Sequence, residues 1–146
     1  MNQRTIKQAA TLKGIGLHTG KEVTLTIQPA NPGMGVRFKR VDLKDEPVVR
    51  AEPGNVVSTL RGTTIQQNGA HINTVEHILA ALHGLAIDNV MIELDGPEVP
   101  ILDGSAMPFV KALEAVGTEE QEKKRDFLEI TEPIRYYDEN LSLIHI

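Results

Sequence analysis

The stretch Asn68-Gly69-Ala70-His71-Ile72-Asn73-Thr74-Val75-Glu76-His77-Ile78-Leu79-Ala80-Ala81-Leu82-His83-Gly84 runs from a turn dipeptide through a short strand into an apolar helix pattern. Asn and Gly tolerate the positive φ angles of a two-residue type I′ hairpin, so Asn68-Gly69 joins residues 56–67 to residues 70–72 as paired strands. From about residue 74 to 82, Val75, Ile78, Leu79 and Leu82 share one face, and Gly84 stands where a helix stops. The side-chain period changes from two to 3.6 within a few residues. That change sets a helix directly after a strand, with an apolar face that must pack on a sheet.

Other segments on both sides follow the same two periods. Residues 22–28 alternate Val23, Leu25 and Ile27 with Thr24 and Thr26, the pattern of a half-buried strand, and residues 36–41 repeat it. Gly14, Gly16 and Gly20 surround Leu17-His18-Thr19, a turn-rich loop able to display a side chain close to backbone. Beyond the helix, residues 89–94 alternate Val90, Ile92 and Leu94, Asp95-Gly96-Pro97 turns the chain, and Ser105 can cap a second helix that runs through Val116 to Gly117. Strands followed by helix, strand and helix imply an α+β, two-layer sandwich over residues 1–117. Residues 118–126 are densely charged and read as a linker, residues 127–140 as the first strands of a new sheet. The apolar run 141–146 is unusual for a chain end and reads as a truncation or a non-native tail.

At 146 residues the chain holds one domain and a remnant of another. Its formal charge of -5 opposes a nucleic-acid backbone as the main partner. The absence of cysteine excludes disulfides and thiolate-bound zinc, which leaves histidine and carboxylate oxygen as metal donors. No apolar run approaches the ~20 residues that span a bilayer, and the N-terminus lacks the apolar core of a signal peptide. The expectation is a cytoplasmic protein with no transmembrane segment.

Glu76-His77 carries the most chemistry. It sets a carboxylate beside an imidazole at a helix start, where free N–H groups and the positive dipole end favour an anionic intermediate. Asn73 and Glu76 also occupy the N-cap and N3 positions of a capping box, in which the carboxylate would only satisfy backbone donors. Both readings stand at this point. The zinc helix His-Glu-x-x-His is absent, and a catalytic zinc takes three protein ligands, of which His77 would be one. His18 belongs to the glycine-flanked loop, His71 reads as a solvent-facing strand residue, His83 as a partner of the helix C-terminal dipole, and His145 belongs to the tail. Pro97-Glu98-Val99-Pro100-Ile101-Leu102-Asp103-Gly104-Ser105 offers two carboxylates but suits a rigid loop, with Asp103 fixing a turn or cap. Glu22 after Gly20-Lys21 breaks a phosphate-loop pattern.

Taken together, the segments Gly14-Ile15-Gly16-Leu17-His18-Thr19-Gly20, Thr74-Val75-Glu76-His77-Ile78-Leu79-Ala80-Ala81-Leu82 and Pro100-Ile101-Leu102-Asp103-Gly104-Ser105 closely resemble the UDP-3-O-acyl-N-acetylglucosamine deacetylases, zinc enzymes of lipid A biosynthesis. The resemblance extends over residues 4–137 and implies the first of two similar domains, each a sandwich of a mixed β-sheet and two helices, with the second starting near the 118–126 stretch. It implies that His77 is a zinc ligand and that Glu76 is the base that takes a proton from zinc-bound water. Zn2+ would be the cofactor. It further implies that Leu17, His18, Thr59, Leu60, Arg61 and Gly62 border the groove for the UDP-3-O-acyl-N-acetylglucosamine substrate. The family's other two zinc ligands and its general-acid histidine belong to the second domain, expected in cis, and have no counterpart here. The chain alone is therefore expected to bind zinc weakly and to release no acetate. The alternatives are a non-catalytic nucleotide-sugar or protein-binding module on the same fold, and a fragment whose bare interface aggregates.

Overall fold

The computed structural model describes residues 1–133. Its main sheet has the order β2-β3-β9-β4-β5, formed by β2 (Ala10–Ile15), β3 (Glu22–Pro29), β9 (Val90–Leu94), β4 (Val36–Arg40) and β5 (Val48–Arg50). β4 runs parallel to β9 and the other pairs are antiparallel, so the sheet is mixed. The registers Leu25↔Leu94, Ile27↔Ile92 and Phe38↔Ile92 align the alternating apolar positions on one face. That face is covered by α1 (Glu76–Gly84) and α2 (Met107–Val116), which contribute Ile78, Ala81 and Leu82, and Phe109 and Leu113, to one buried cluster. The α+β sandwich of a mixed sheet and two helices thus matches the expectation. Burying a side chain such as Phe109 or Ile92 is worth about 1.5–3 kcal/mol.

A second, three-stranded sheet combines β6 (Val56–Ser58), β7 (Thr64–Gln67) and β8 (Ala70–Ile72). Asn68 and Gly69 have φ of 52° and 76°, as the hairpin reading requires. The long strand expected over 56–67 is broken, however: residues 59–63 leave the ladder as a loop between β6 and β7. Arg40, buried at the end of β4, fastens this sheet to the first; its guanidinium is held by Asp42 at 2.7 Å and donates to the His71 carbonyl at 3.1 Å.

α1 starts later than the capping box requires. Asn73 lies in a parallel bridge with Glu98, Thr74 takes φ 60°, and Glu76 is the first helical residue. The N-cap position falls to Val75, with no side-chain cap, while the Asn73 side chain accepts a hydrogen bond from the Thr64 hydroxyl at 3.0 Å. The capping-box reading of Asn73 and Glu76 is therefore corrected. A bridge at Asn73 and a left-handed turn at Thr74 use up the residues that the box would need. At α2, Ser105 precedes the helix and its hydroxyl accepts from the Met107 N–H at 3.1 Å, and Gly117 ends the helix with φ 70°.

The charged stretch 118–126 also departs from its expected linker form. Residues Thr118–Lys124 form β10, which pairs antiparallel with β1 (Asn2–Ile6). Residues 127–133 hold no strand, and the remainder of the expected new sheet and the 141–146 tail lie outside the described residues.

Candidate functional site

Four segments distant in sequence meet at the start of α1. Glu98, on the loop after β9, is 1% exposed. It receives the His18 N–H at 3.0 and 3.2 Å, the Thr19 N–H at 2.8 Å and the Thr74 hydroxyl at 2.9 Å. The His18 ring reaches across to the Arg61 carbonyl, with Nε2 at 3.1 Å. Two residues beyond Arg61, the Thr63 N–H donates to Oε2 of Glu76 at 3.0 Å. These contacts form a closed ring through residues 18, 61–63, 76, 74 and 98. Gly62 lies at its centre: a methyl group placed there would sit 3.5 Å from both Glu76 Oε1 and His18 Nε2, and 3.6 Å from the Thr74 hydroxyl.

Local conformation explains how each group is delivered. The loop after β2 folds tightly, with the Gly16 N–H on the Lys21 carbonyl at 3.0 Å and the Gly20 N–H on the Gly16 carbonyl at 2.9 Å. At Gly16 there is no room for a Cβ, which would collide with the Thr19 hydroxyl and the Glu98 carboxylate. Glycine is required there for close approach rather than for chain flexibility. Arg61 and Thr74 take φ of 60° each, in a region costly for residues with a Cβ, so two members of the ring are strained. Burial pushes the Glu98 carboxyl up, but the His18 N–H, the hydroxyl and N–H of Thr19 and the Thr74 hydroxyl outweigh it and hold it below the ordinary glutamate range. Glu98 is therefore an ionised, fully engaged acceptor.

Beside the ring opens a hollow of about 270 Å³ lined by His18, Leu60, Arg61, Gly62, Thr64, Asn73 and Thr74. The structure thus brings His18, Leu60, Arg61 and Gly62 to one hollow with Glu76 at its edge, whereas Leu17 and Thr59 stay on the exposed outer parts of their loops. Leu60, which lines the hollow, is 83% exposed and gives its outer edge an apolar side chain. His77 follows Glu76 in the first helical turn, half-buried and with no side-chain hydrogen bond to another described residue. His71 is exposed on β8, as expected, and His83 falls in the last turn of α1. A larger hollow of about 450 Å³, lined by residues of β2 and β3 with Asp95, includes neither Glu76 nor His77.

Among the described residues no three His, Cys, Asp or Glu side chains converge as a metal cage. The donor set tells the same story, since a catalytic zinc takes three protein ligands and the helix start offers one imidazole. The ring also contains residues that the sequence did not mark: Thr63, Thr74 and, above all, Glu98. Glu98 stood in a noted motif, yet its partners lie 79 and 80 residues upstream, and no local period announces such a contact.

A family model described as UDP-3-O-acyl N-acetylglycosamine deacetylase matches residues 3–146. Among curated proteins, the chain is 47% identical over 136 residues to a UDP-3-O-acyl-N-acetylglucosamine deacetylase of Geobacter sp. (strain M21), covering 93% of this chain and 45% of that protein. The protein of the same name from Methylococcus capsulatus is 45% identical over 138 residues, 94% of this chain and 45% of its own length. A protein of Bacteroides thetaiotaomicron named bifunctional enzyme LpxC/FabZ is 46% identical over 140 residues, 96% of this chain and 30% of its own. The chain spans less than half the length of these relatives.

Proposed function

Since this chain belongs to the UDP-3-O-acyl N-acetylglycosamine deacetylase family, we propose that it is the amino-terminal part of a zinc-dependent amidohydrolase that removes acetate from UDP-3-O-(3-hydroxyacyl)-N-acetylglucosamine in lipid A biosynthesis. The observation that carries the reading is the hydrogen-bonded ring that brings Glu76, His18 and the 61–63 backbone around Gly62. Such convergence exceeds what a helix start alone needs.

In this reading Glu76 is the general base. Its Oε2 is fixed by the Thr63 N–H, while Oε1 borders Gly62 with no hydrogen bond to another described residue. Oε1 is thus the atom available to take a proton from water. His18, Leu60, Arg61 and Gly62 bind and orient substrate along the hollow, with Leu17 and Thr59 at its rim. His77 is a zinc ligand, and the remaining donors come from a second domain in cis that starts beyond residue 126. Residues 1–133 alone present no set of three ligating side chains and do not fit the metal by themselves; in this reading that domain completes the cage. Zinc, when bound, polarises a carbonyl and lowers the pKa of water toward ~7. A cytoplasmic location agrees with the reading, and no described helix is long and apolar enough to cross a membrane.

The test uses the protein extended to the length of its relatives. Glu76→Gln should lower the rate of acetate release by about 10²–10⁴-fold, the usual worth of a positioned base, with fold and zinc content retained. Unchanged turnover in that variant would remove Glu76 from the base role. No acetate release by the unsubstituted protein would point to a non-catalytic module instead.

A further inference from the structure

Among the described residues, Glu98 is the one side chain hydrogen-bonded to both the loop carrying His18 and the turn that launches α1. It has no use in the proton-transfer chemistry, because every contact it makes is spent inside the protein and it is buried. Its loop is independently fixed. The Asn73 N–H donates to the Pro97 carbonyl at 2.9 Å, and the Val99 N–H donates to the Asn73 carbonyl at 3.1 Å. The carboxylate therefore projects from a clamped backbone, with the start of α1 as its reference frame.

The loop on its other side is held more lightly. His18 and Leu17 are exposed, and no backbone ladder continues through residues 17–19. The His18 ring meets the Arg61 carbonyl at 3.1 Å, but apart from the turn within the loop it is the Glu98 carboxylate that ties the backbone N–H groups of residues 18 and 19 to the body of the domain. We infer that Glu98 is a positioning residue, whose carboxylate sets the place of His18 relative to Glu76 and so tunes substrate binding rather than the chemical step. The part that concerns substrate rests on the deacetylase reading; the part that concerns the loop does not.

An amide cannot replace this carboxylate. Glutamine at residue 98 would offer one acceptor oxygen, and its NH2 group would face the His18 or Thr19 N–H, donor against donor. Hydrogen bonds to a charged acceptor are worth enough that losing one corresponds to tenfold or more in a local equilibrium, as an order of magnitude.

Two measurements decide the matter. In the unsubstituted 146-residue chain, hydrogen exchange at the His18 and Thr19 amides should be slower than at Leu17 by about tenfold or more, since Leu17 shares the loop but has no N–H partner among the described residues. Glu98→Gln should erase that difference and leave the amides of β3 and β9 protected. Equal exchange at residues 17, 18 and 19 in the unsubstituted chain overturns the inference, as does loss of protection spread evenly over the sheet in Glu98→Gln. In the protein of relatives' length, Glu98→Gln should raise KM by about tenfold with kcat changed far less, and should add little in a His18→Ala background. A merely structural role would lower the active fraction, reducing apparent kcat at constant KM in both backgrounds, and would overturn the kinetic arm. If the unsubstituted protein has no deacetylase activity, the deacetylase reading fails while the amide measurement still decides the loop.

Discussion

The Glu76 carboxylate accepts its hydrogen bond from the backbone N–H of Thr63, at 3.0 Å, and not from the free N–H groups of its own helix. The orientation of the helix-start carboxylate is thereby a property of the loop between β6 and β7. That loop also supplies Gly62, whose missing side chain leaves the space shared by Glu76 Oε1 and His18 Nε2.

Gly62→Ala should separate packing from function. The added methyl would meet its neighbours at 3.5–3.6 Å, ordinary van der Waals distances, so stability should change by no more than about 0.5 kcal/mol. It would nevertheless stand between the two groups where the deacetylase reading puts a water or substrate atom. Displacements of that size cost up to about 10²-fold in rate. Thermal melting of the substituted chain, set beside kcat/KM of the protein of relatives' length, checks both halves; an unaffected kcat/KM would show that the reacting atoms lie elsewhere.

Gly16→Ala should behave in the opposite way. Here the Cβ would overlap the Glu98 carboxylate and the Thr19 hydroxyl, and neither can retreat without breaking the contacts that bind the loop to Glu98. Overpacking of this kind costs about 1–3 kcal/mol. Urea titration of the 146-residue chain should show that loss.

Stability against acid should depend on Glu98. Its folded pKa is held below the ordinary value of 4.5, so the unfolded chain takes up the proton first. The stabilisation is present above about pH 4.5 and is lost as pH falls through the lower, folded value. Glu98→Gln should therefore be less stable than the unsubstituted chain at neutral pH, with the gap narrowing as pH drops below that point. Asp42, held down by the Arg40 guanidinium, and Asp103, held down by Ser105, keep their own acid dependence in both proteins. A gap that stays constant from neutral to acid pH would mean that the Glu98 charge is not what binds the loop.

Much of this architecture could be read along the chain because it rests on local periods. Val23, Leu25 and Ile27 alternate and are buried in β3, and Val90, Ile92 and Leu94 do the same in β9. Asn68-Gly69 turns as that pair should. The start of α1 was harder to read, because a bridge between Asn73 and Glu98 and a positive φ at Thr74 are tertiary facts that displaced the cap suggested by the local sequence. The site followed the same division. Glu76 stands out from its place at a helix start, and Arg61 and Gly62 through the family resemblance, with His18 from both its glycine-flanked loop and that resemblance; Glu98 reads locally as part of a rigid loop, and only its partners across the fold give it a role.

Zinc binding gives a further check. The described residues present no set of three metal-ligating side chains, so calorimetric titration of the 146-residue chain with zinc should show no stoichiometric, tight phase, and the chain should release no acetate. Saturation at one zinc per chain, abolished by His77→Ala, would show that a cage forms without a second domain.

The stretch 118–126 carries no strand period in its sequence, for a physical reason that also makes it testable. β10 belongs to a two-stranded ribbon, so its side chains are largely exposed and show no apolar alternation. What holds it is polar. Arg4 faces Glu120 across the ribbon, the Asn2 amide donates to Glu120 at 2.7 Å, and the Gln121 side chain bridges the Asn89 amide at 2.7 Å and the Ala30 carbonyl at 2.8 Å. Cross-strand pairs of opposite charge add about 0.2–1 kcal/mol each, and the two bonds of Gln121 about 0.5–1.5 kcal/mol each. A flexible linker with Lys123, Lys124 and Arg125 would be the first place trypsin cuts, whereas a paired strand must open before it is cut. The intact chain should therefore resist cleavage after these residues, and Gln121→Ala should speed it by about tenfold, because the asparagine amide and the carbonyl lose their partner and the strand opens more often. Rapid cleavage there in the unsubstituted chain would mean that the ribbon does not persist in solution.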